Sequence, residues 1–78
     1  MTIKTLTVIH EALHMQLERQ KMELEVLIRD LEKNKANGEP PHVVGMSERL
    51  VKSSSDELEN IRRAIEEFEA ANFSMRET

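Results

Sequence analysis

Apolar residues recur at helical spacing along the first half of the chain. Between about residues 6 and 35 they gather on one side of a helix that turns about 100° per residue, which predicts an amphipathic helix. The members of this leucine stripe are Leu6, Ile9, Leu13, Leu17, Leu24, Leu27 and Leu31. The sequence does not determine where the helix starts, because the β-branched, alternating residues 1–8 are also compatible with a short strand or an arm.

A second apolar row follows the opposite side of the same helix. This methionine seam consists of Val8, Ala12, Met15, Met22 and Val26, and Arg19 interrupts it. A helix with two opposing apolar faces needs a partner on each of them. We therefore expect the seam to be an oligomer interface, with a groove for varied protein partners as the alternative.

The segment ANGEPPHVVG, residues 36–45, separates this helix from a second one. Its two prolines remove backbone donors and disfavour helical dihedrals in the residues before them, so we expect a loop there. The second helix is predicted over about residues 46–72, followed by a frayed tail at 73–78. A heptad seam runs along it: Val51, Ser54, Leu58, Ile61, Ile65 and Phe68. Its three successive serines, which are weak helix formers, leave a break at 53–55 open.

These elements predict an all-α fold in which residues 1–78 form a single domain, an antiparallel helical hairpin. The predicted hairpin core comprises Leu13, Leu17, Leu24, Leu27, Leu31, Leu58, Ile61, Ile65 and Phe68. Because one hairpin leaves the methionine seam uncovered, we expect self-association into a helical bundle. The simplest form is a homodimer, a coiled-coil-like four-helix bundle with the first helices at its centre.

Gln20 is a polar residue within the leucine stripe. One interpretation is that its amide fixes the register of a helical pair, as buried amides do in coiled coils. The other is that it lies at the edge of the stripe with its amide in water. The sequence is compatible with both.

Composition and charge exclude several classes of protein. The chain has 78 residues, no cysteine, tryptophan or tyrosine, and two phenylalanines, so disulfides and thiolate metal sites are excluded and a reducing, cytoplasmic setting is expected. It has neither an apolar run long enough for a membrane span nor a secretory signal. Since so short a chain buries little apolar surface, association or a metal is expected to add stability.

The formal net charge of −4, from 11 basic and 15 acidic residues, disfavours binding to nucleic acid. A small nucleic-acid-binding regulator remains an alternative if basic residues of the second helix form one face. The candidates for that face are Arg49, Lys52, Arg62 and Arg63.

One short motif carries possible chemistry. Residues four apart on a helix lie one above the other, so His10 and His14 can place two imidazoles on one zinc ion, with Glu11 between them. Over these five residues the sequence HEALH resembles the His-Glu-x-x-His motif of zinc metallopeptidases. The resemblance implies that His10 and His14 are ligands and that Glu11 is the general base.

A catalytic zinc also needs a third protein ligand. The hairpin places Glu66, Glu67 and Glu69 level with the two histidines, and Glu67 is the predicted third ligand. His42, in the loop, would lie about 40 Å away at the other end. Few glycines and aromatics are present to shape a cleft.

The sequence therefore favours a small oligomeric interaction or adaptor protein without catalytic activity or cofactor. We expect it to bind itself and an unknown protein partner through its outer helix faces or loop. The alternatives are a zinc-binding protein or metal-dependent hydrolase, a nucleic-acid regulator, and a small-ligand carrier with pockets between subunits.

Overall fold

The computed structural model describes residues 2–73, which form two long helices. They are α1, Ile3–Ala36, and α2, Pro41–Asn72. The helices pack against each other as an antiparallel hairpin with extents of 56 × 18 × 17 Å, and the described residues contain no strand. The predicted all-α hairpin is confirmed. Apart from Phe73, the predicted tail lies outside the described residues.

Helix α1 begins earlier than the sequence predicted, because a threonine caps it. The Thr2 side chain accepts a hydrogen bond from the Thr5 backbone amide at 3.2 Å, which satisfies a donor that the first turn cannot pair internally. The Thr7 hydroxyl bonds back to the Ile3 carbonyl at 2.9 Å. Residues 3–8 are thus helical, and neither a strand nor an arm forms there.

The loop is shorter than the predicted segment 36–45 and comprises only residues 37–40. Gly38 has a φ of +67°, a left-handed conformation that favours glycine and ends α1. Pro41 is the first residue of α2, a position where proline's missing donor costs nothing. Residues 41–45, predicted as loop, therefore belong to α2. The helix also continues through the serines at 53–55 without a break.

The hairpin has a thin core. Leu58, Ile61 and Ile65 of α2 are buried, with 8%, 5% and 5% of their surfaces exposed. The other residues of the predicted core are half-buried: Leu13, Leu17, Leu24, Leu27, Leu31 and Phe68. A pair of helices cannot enclose the side chains between them on every side, which explains why no large side chain is fully buried in the described residues.

Gln20 contacts the opposite helix. Its Nε2 donates hydrogen bonds to the Ser54 hydroxyl at 2.8 Å and to the Ser54 carbonyl at 3.3 Å. Ser54 is one of the four buried residues of α2, with 6% of its surface exposed. A polar pair within an apolar interface favours one register, since any shift leaves both groups unpaired. Nearer the loop, Asn34 Nδ2 donates to the Ser47 hydroxyl at 2.7 Å in the same way.

Replacing Gln20 with alanine should lower the free energy of unfolding by about 1–2 kcal/mol, because the buried Ser54 hydroxyl loses its partner. Urea denaturation followed by far-ultraviolet circular dichroism measures the change. Gln16→Ala, an exposed glutamine one turn earlier, is the matched control and should change it by less than about 0.5 kcal/mol. Equal effects of the two substitutions would contradict a register role for Gln20.

Candidate functional site

Two histidines and a glutamate converge near the open end of the hairpin. His10 Nε2 lies 2.7 Å from Glu69 Oε2 and 3.2 Å from His14 Nε2. The third distance, from His14 Nε2 to Glu69 Oε2, is 3.8 Å. We call these three residues the His-Glu cluster. They are a group with the ligand types and spacing to hold a metal ion.

Helix geometry explains which glutamate joins the cluster. The two histidines are one turn apart on α1, at the flank of the leucine stripe. On α2, Glu69 is one turn after buried Ile65 and therefore lies on the side that faces α1. Glu67, the predicted third ligand, is two residues before Glu69, about 200° around the helix, and is exposed outside the cluster. The spacing of the α2 core residues could have predicted Glu69 as the third ligand, because Glu69 is four residues after Ile65.

Aromatic rings line one side of the cluster. The His10 ring stacks on Phe68, with centroids 6.0 Å apart and planes at 15°, and meets Phe73 edge-on at 5.1 Å. His10 and His14 are themselves edge to face, 4.6 Å apart. His14 remains 48% exposed and Glu69 45%. The cluster is thus apolar behind His10 and open to water at His14.

The cluster brings three atoms that carry lone pairs within 3.8 Å of one another. A ring nitrogen carries at most one proton. If His10 Nε2 holds it, that proton lies between Glu69 and His14, and the His14 nitrogen at 3.2 Å must share it or turn away. If both Nε2 atoms carry a proton, both can point toward Glu69 Oε2, but only the 2.7 Å separation from His10 is short enough for a hydrogen bond, and His14 at 3.8 Å is not. A single cation among the three atoms would satisfy all of them.

Glu11, the residue that the peptidase resemblance assigns as general base, is exposed and is not part of the cluster. A groove of 390 Å³ lies near the loop, lined in part by Leu27, Asp30, Ser47 and Leu50. His42 is exposed in the first turn of α2, also at the loop end. The general-base role of Glu11 therefore stays a prediction from the resemblance.

The methionine seam lies on the surface of the hairpin. Met15 is 61% exposed and Met22 66%, Val8 and Val26 are exposed by more than half, and Ala12 is exposed as well. Further exposed apolar residues were not singled out from the sequence: Ile3, Ile28, Met46 and Leu50. Unlike the seam, these four do not continue along one helix face at heptad spacing.

The basic residues of α2 are interleaved with acidic ones. Lys52 Nζ lies 3.2 Å from Asp56 Oδ2, and both side chains are exposed. Asp56 and Glu59 stand between Lys52 and Arg63 in the sequence, so the exposed surface carries both signs of charge. This arrangement does not favour binding to a phosphate backbone.

Within residues 2–73, neither helix is apolar enough to cross a membrane. No protein-family model, curated protein or solved structure matches the chain.

Proposed function

We propose that this protein is a small, non-catalytic interaction module that self-associates through the methionine seam into a four-helix homodimer. The observation that carries the proposal is the row of exposed apolar side chains along α1, on the side away from α2. A continuous row of exposed apolar side chains favours association, because association removes it from water. The α1 helix would then be covered on both of its apolar faces.

The surface area of the hairpin supports a second copy as the occupant of the seam. The chain exposes 6063 Å², whereas a globular monomer of 9.0 kDa exposes roughly 4,850 Å². The excess, on the order of 1,000 Å², is similar to what one partner buries in a standard protein interface. A dimer would therefore bury about the fraction of surface that a globular protein of this size buries, which the thin hairpin core alone does not.

Spacing and charge favour an antiparallel pairing of the two α1 helices. The seam alternates steps of four and three residues, as in a coiled coil, and Arg19 occupies the position between Met15 and Met22. Parallel helices would set Arg19 against Arg19. Antiparallel helices can instead pair Met15 with Val26 of the second copy, and place Arg19 beside that copy's Glu23.

The remaining surfaces are available for another protein. The outer face of α2 carries mixed charges, and residues 37–40 form a compact loop at one end of the hairpin. We propose that these outer faces or the loop bind a macromolecular partner. Because the chain has no cysteine, a cytoplasmic location is part of the proposal.

Sedimentation equilibrium of the full chain over a range of micromolar concentrations tests the proposal. We expect a mass of twice the 9.0 kDa chain, with dissociation only on strong dilution. A folded monomer across the whole range would overturn the proposed self-association.

A further inference from the structure

We propose that the His-Glu cluster of His10, His14 and Glu69 is a binding site for one divalent transition-metal ion of the zinc class. Two ligands come from α1 and one from α2. The bound ion would therefore cross-link the helices near the open end of the hairpin, far from the loop that already joins them. This is a binding and stabilising role, and it does not rest on the proposed dimer.

The atomic spacing fits a metal ion. Ligand atoms about 2.05 Å from a tetrahedral zinc are about 3.3 Å from one another. The three separations in the cluster are 2.7, 3.2 and 3.8 Å, which bracket this value. Each separation would have to change by only about 0.6 Å or less to reach the spacing expected around zinc.

The donor set selects the class of ion. Two imidazole nitrogens and one carboxylate oxygen suit zinc and its neighbours cobalt, nickel and copper, whereas calcium and magnesium prefer all-oxygen sites. One carboxylate leaves a single net positive charge on the complex. The exposed side of His14 gives access to water as a fourth ligand.

The surroundings of His10 would strengthen the site. Phe68 and Phe73 pack against the His10 ring and restrict its orientation. A ligand whose ring is already held loses less conformational entropy when the metal binds. Around α1, His10 is about 140° and His14 about 100° from Met15, so the cluster is not part of the methionine seam and metal binding and dimer formation can be tested separately.

Metal titration of the full chain, free of any affinity tag, tests the site. Zinc binding is measured by calorimetry, and cobalt(II) binding by the visible absorption that distinguishes four-coordinate from six-coordinate cobalt. The test variants are Glu69→Gln and His14→Gln, which keep the side-chain size. The matched controls are Glu67→Gln, which lies outside the cluster, and His42→Gln, at the loop end.

We expect one metal ion per chain and a four-coordinate cobalt spectrum. Glu69→Gln and His14→Gln should each lower the metal affinity about 100-fold or more, since removing a group that only hydrogen-bonds to a metal ligand already lowers affinity 10–100-fold. Both controls should bind as the unaltered chain does. Circular dichroism without metal checks that each variant is folded.

Three results would overturn the site: no binding, binding that survives both test variants, or binding lost in His42→Gln. Half an ion per chain would also overturn it, because the ion would then join two copies. Repeating the titration with Met15→Glu/Met22→Glu separates the two proposals. Metal binding by a monomeric variant supports the site, whatever the state of the dimer.

Discussion

Replacing Met15 and Met22 together with glutamate should convert the proposed dimer into a monomer. Burial of a methionine side chain contributes about 1.5–3 kcal/mol, and a symmetric dimer buries both methionines twice. The double variant therefore loses on the order of 6 kcal/mol of association free energy, which raises the dissociation constant roughly 10,000-fold. Sedimentation velocity at a concentration where the unaltered chain is dimeric measures the change in mass.

Met46→Glu is the matched control for this experiment. Met46 is 56% exposed, close to the 61% of Met15, but it lies on α2 outside the methionine seam. The control should keep the dimer mass, because it makes one substitution of the same type where no interface is proposed. Dissociation by Met46→Glu, or a dimer that survives the double substitution, would show that the seam is not the interface.

Replacing Ile61 with alanine should destabilise the hairpin by about 2–5 kcal/mol. Ile61 is 5% exposed and is one of three buried apolar residues in the described part of the chain, so few neighbours can move to fill the cavity. A folded chain of 78 residues has a total stability of about 4–12 kcal/mol. This one substitution thus removes a large part of it.

Urea denaturation followed by circular dichroism measures this loss, at one fixed protein concentration because association adds to stability. Leu50→Ala is the control on the same helix. Leu50 is 53% exposed, so its truncation should change stability by about 0.5 kcal/mol or less. Similar losses for both variants would mean that the stability does not come from the packing of α1 on α2.

The two predictions concern opposite faces of α1. Ile61 packs against the leucine-stripe side, within one chain, while Met15 and Met22 lie on the seam side. If a second copy covers the seam, α1 is held between α2 and that copy. Disrupting the packing on either apolar face of α1 should then weaken the packing on the other face. A lower denaturation midpoint for Met15→Glu/Met22→Glu than for Met46→Glu would show this coupling.

The candidate site was partly predictable from the sequence. His10 and His14 share a face because four residues make about one helical turn, and this holds for any helix that contains them. Their third partner depends on α2. The level along the hairpin alone favours Glu67, but the rotation of α2 about its own axis turns Glu69 toward the histidines and leaves Glu67 exposed.

The pattern of residues along the chain predicts the two helices, the loop between them and the division of α1 into a leucine stripe and a methionine seam. These features follow from local backbone preferences and from the helical period, which act within one segment. Both helices begin earlier than predicted, because the Thr2 side chain caps α1 and a proline at the first position of α2 is compatible with helix.

The packing of the two helices sets which residues meet across the hairpin. Those contacts depend on the shift and rotation of α2 relative to α1, which the four-residue loop and the Gln20–Ser54 hydrogen bonds constrain together. Gln20 is therefore a contact between helices, although its sequence position was equally compatible with water. The same geometry places Glu69 beside His10, because a contact between distant residues depends on the packing of both helices.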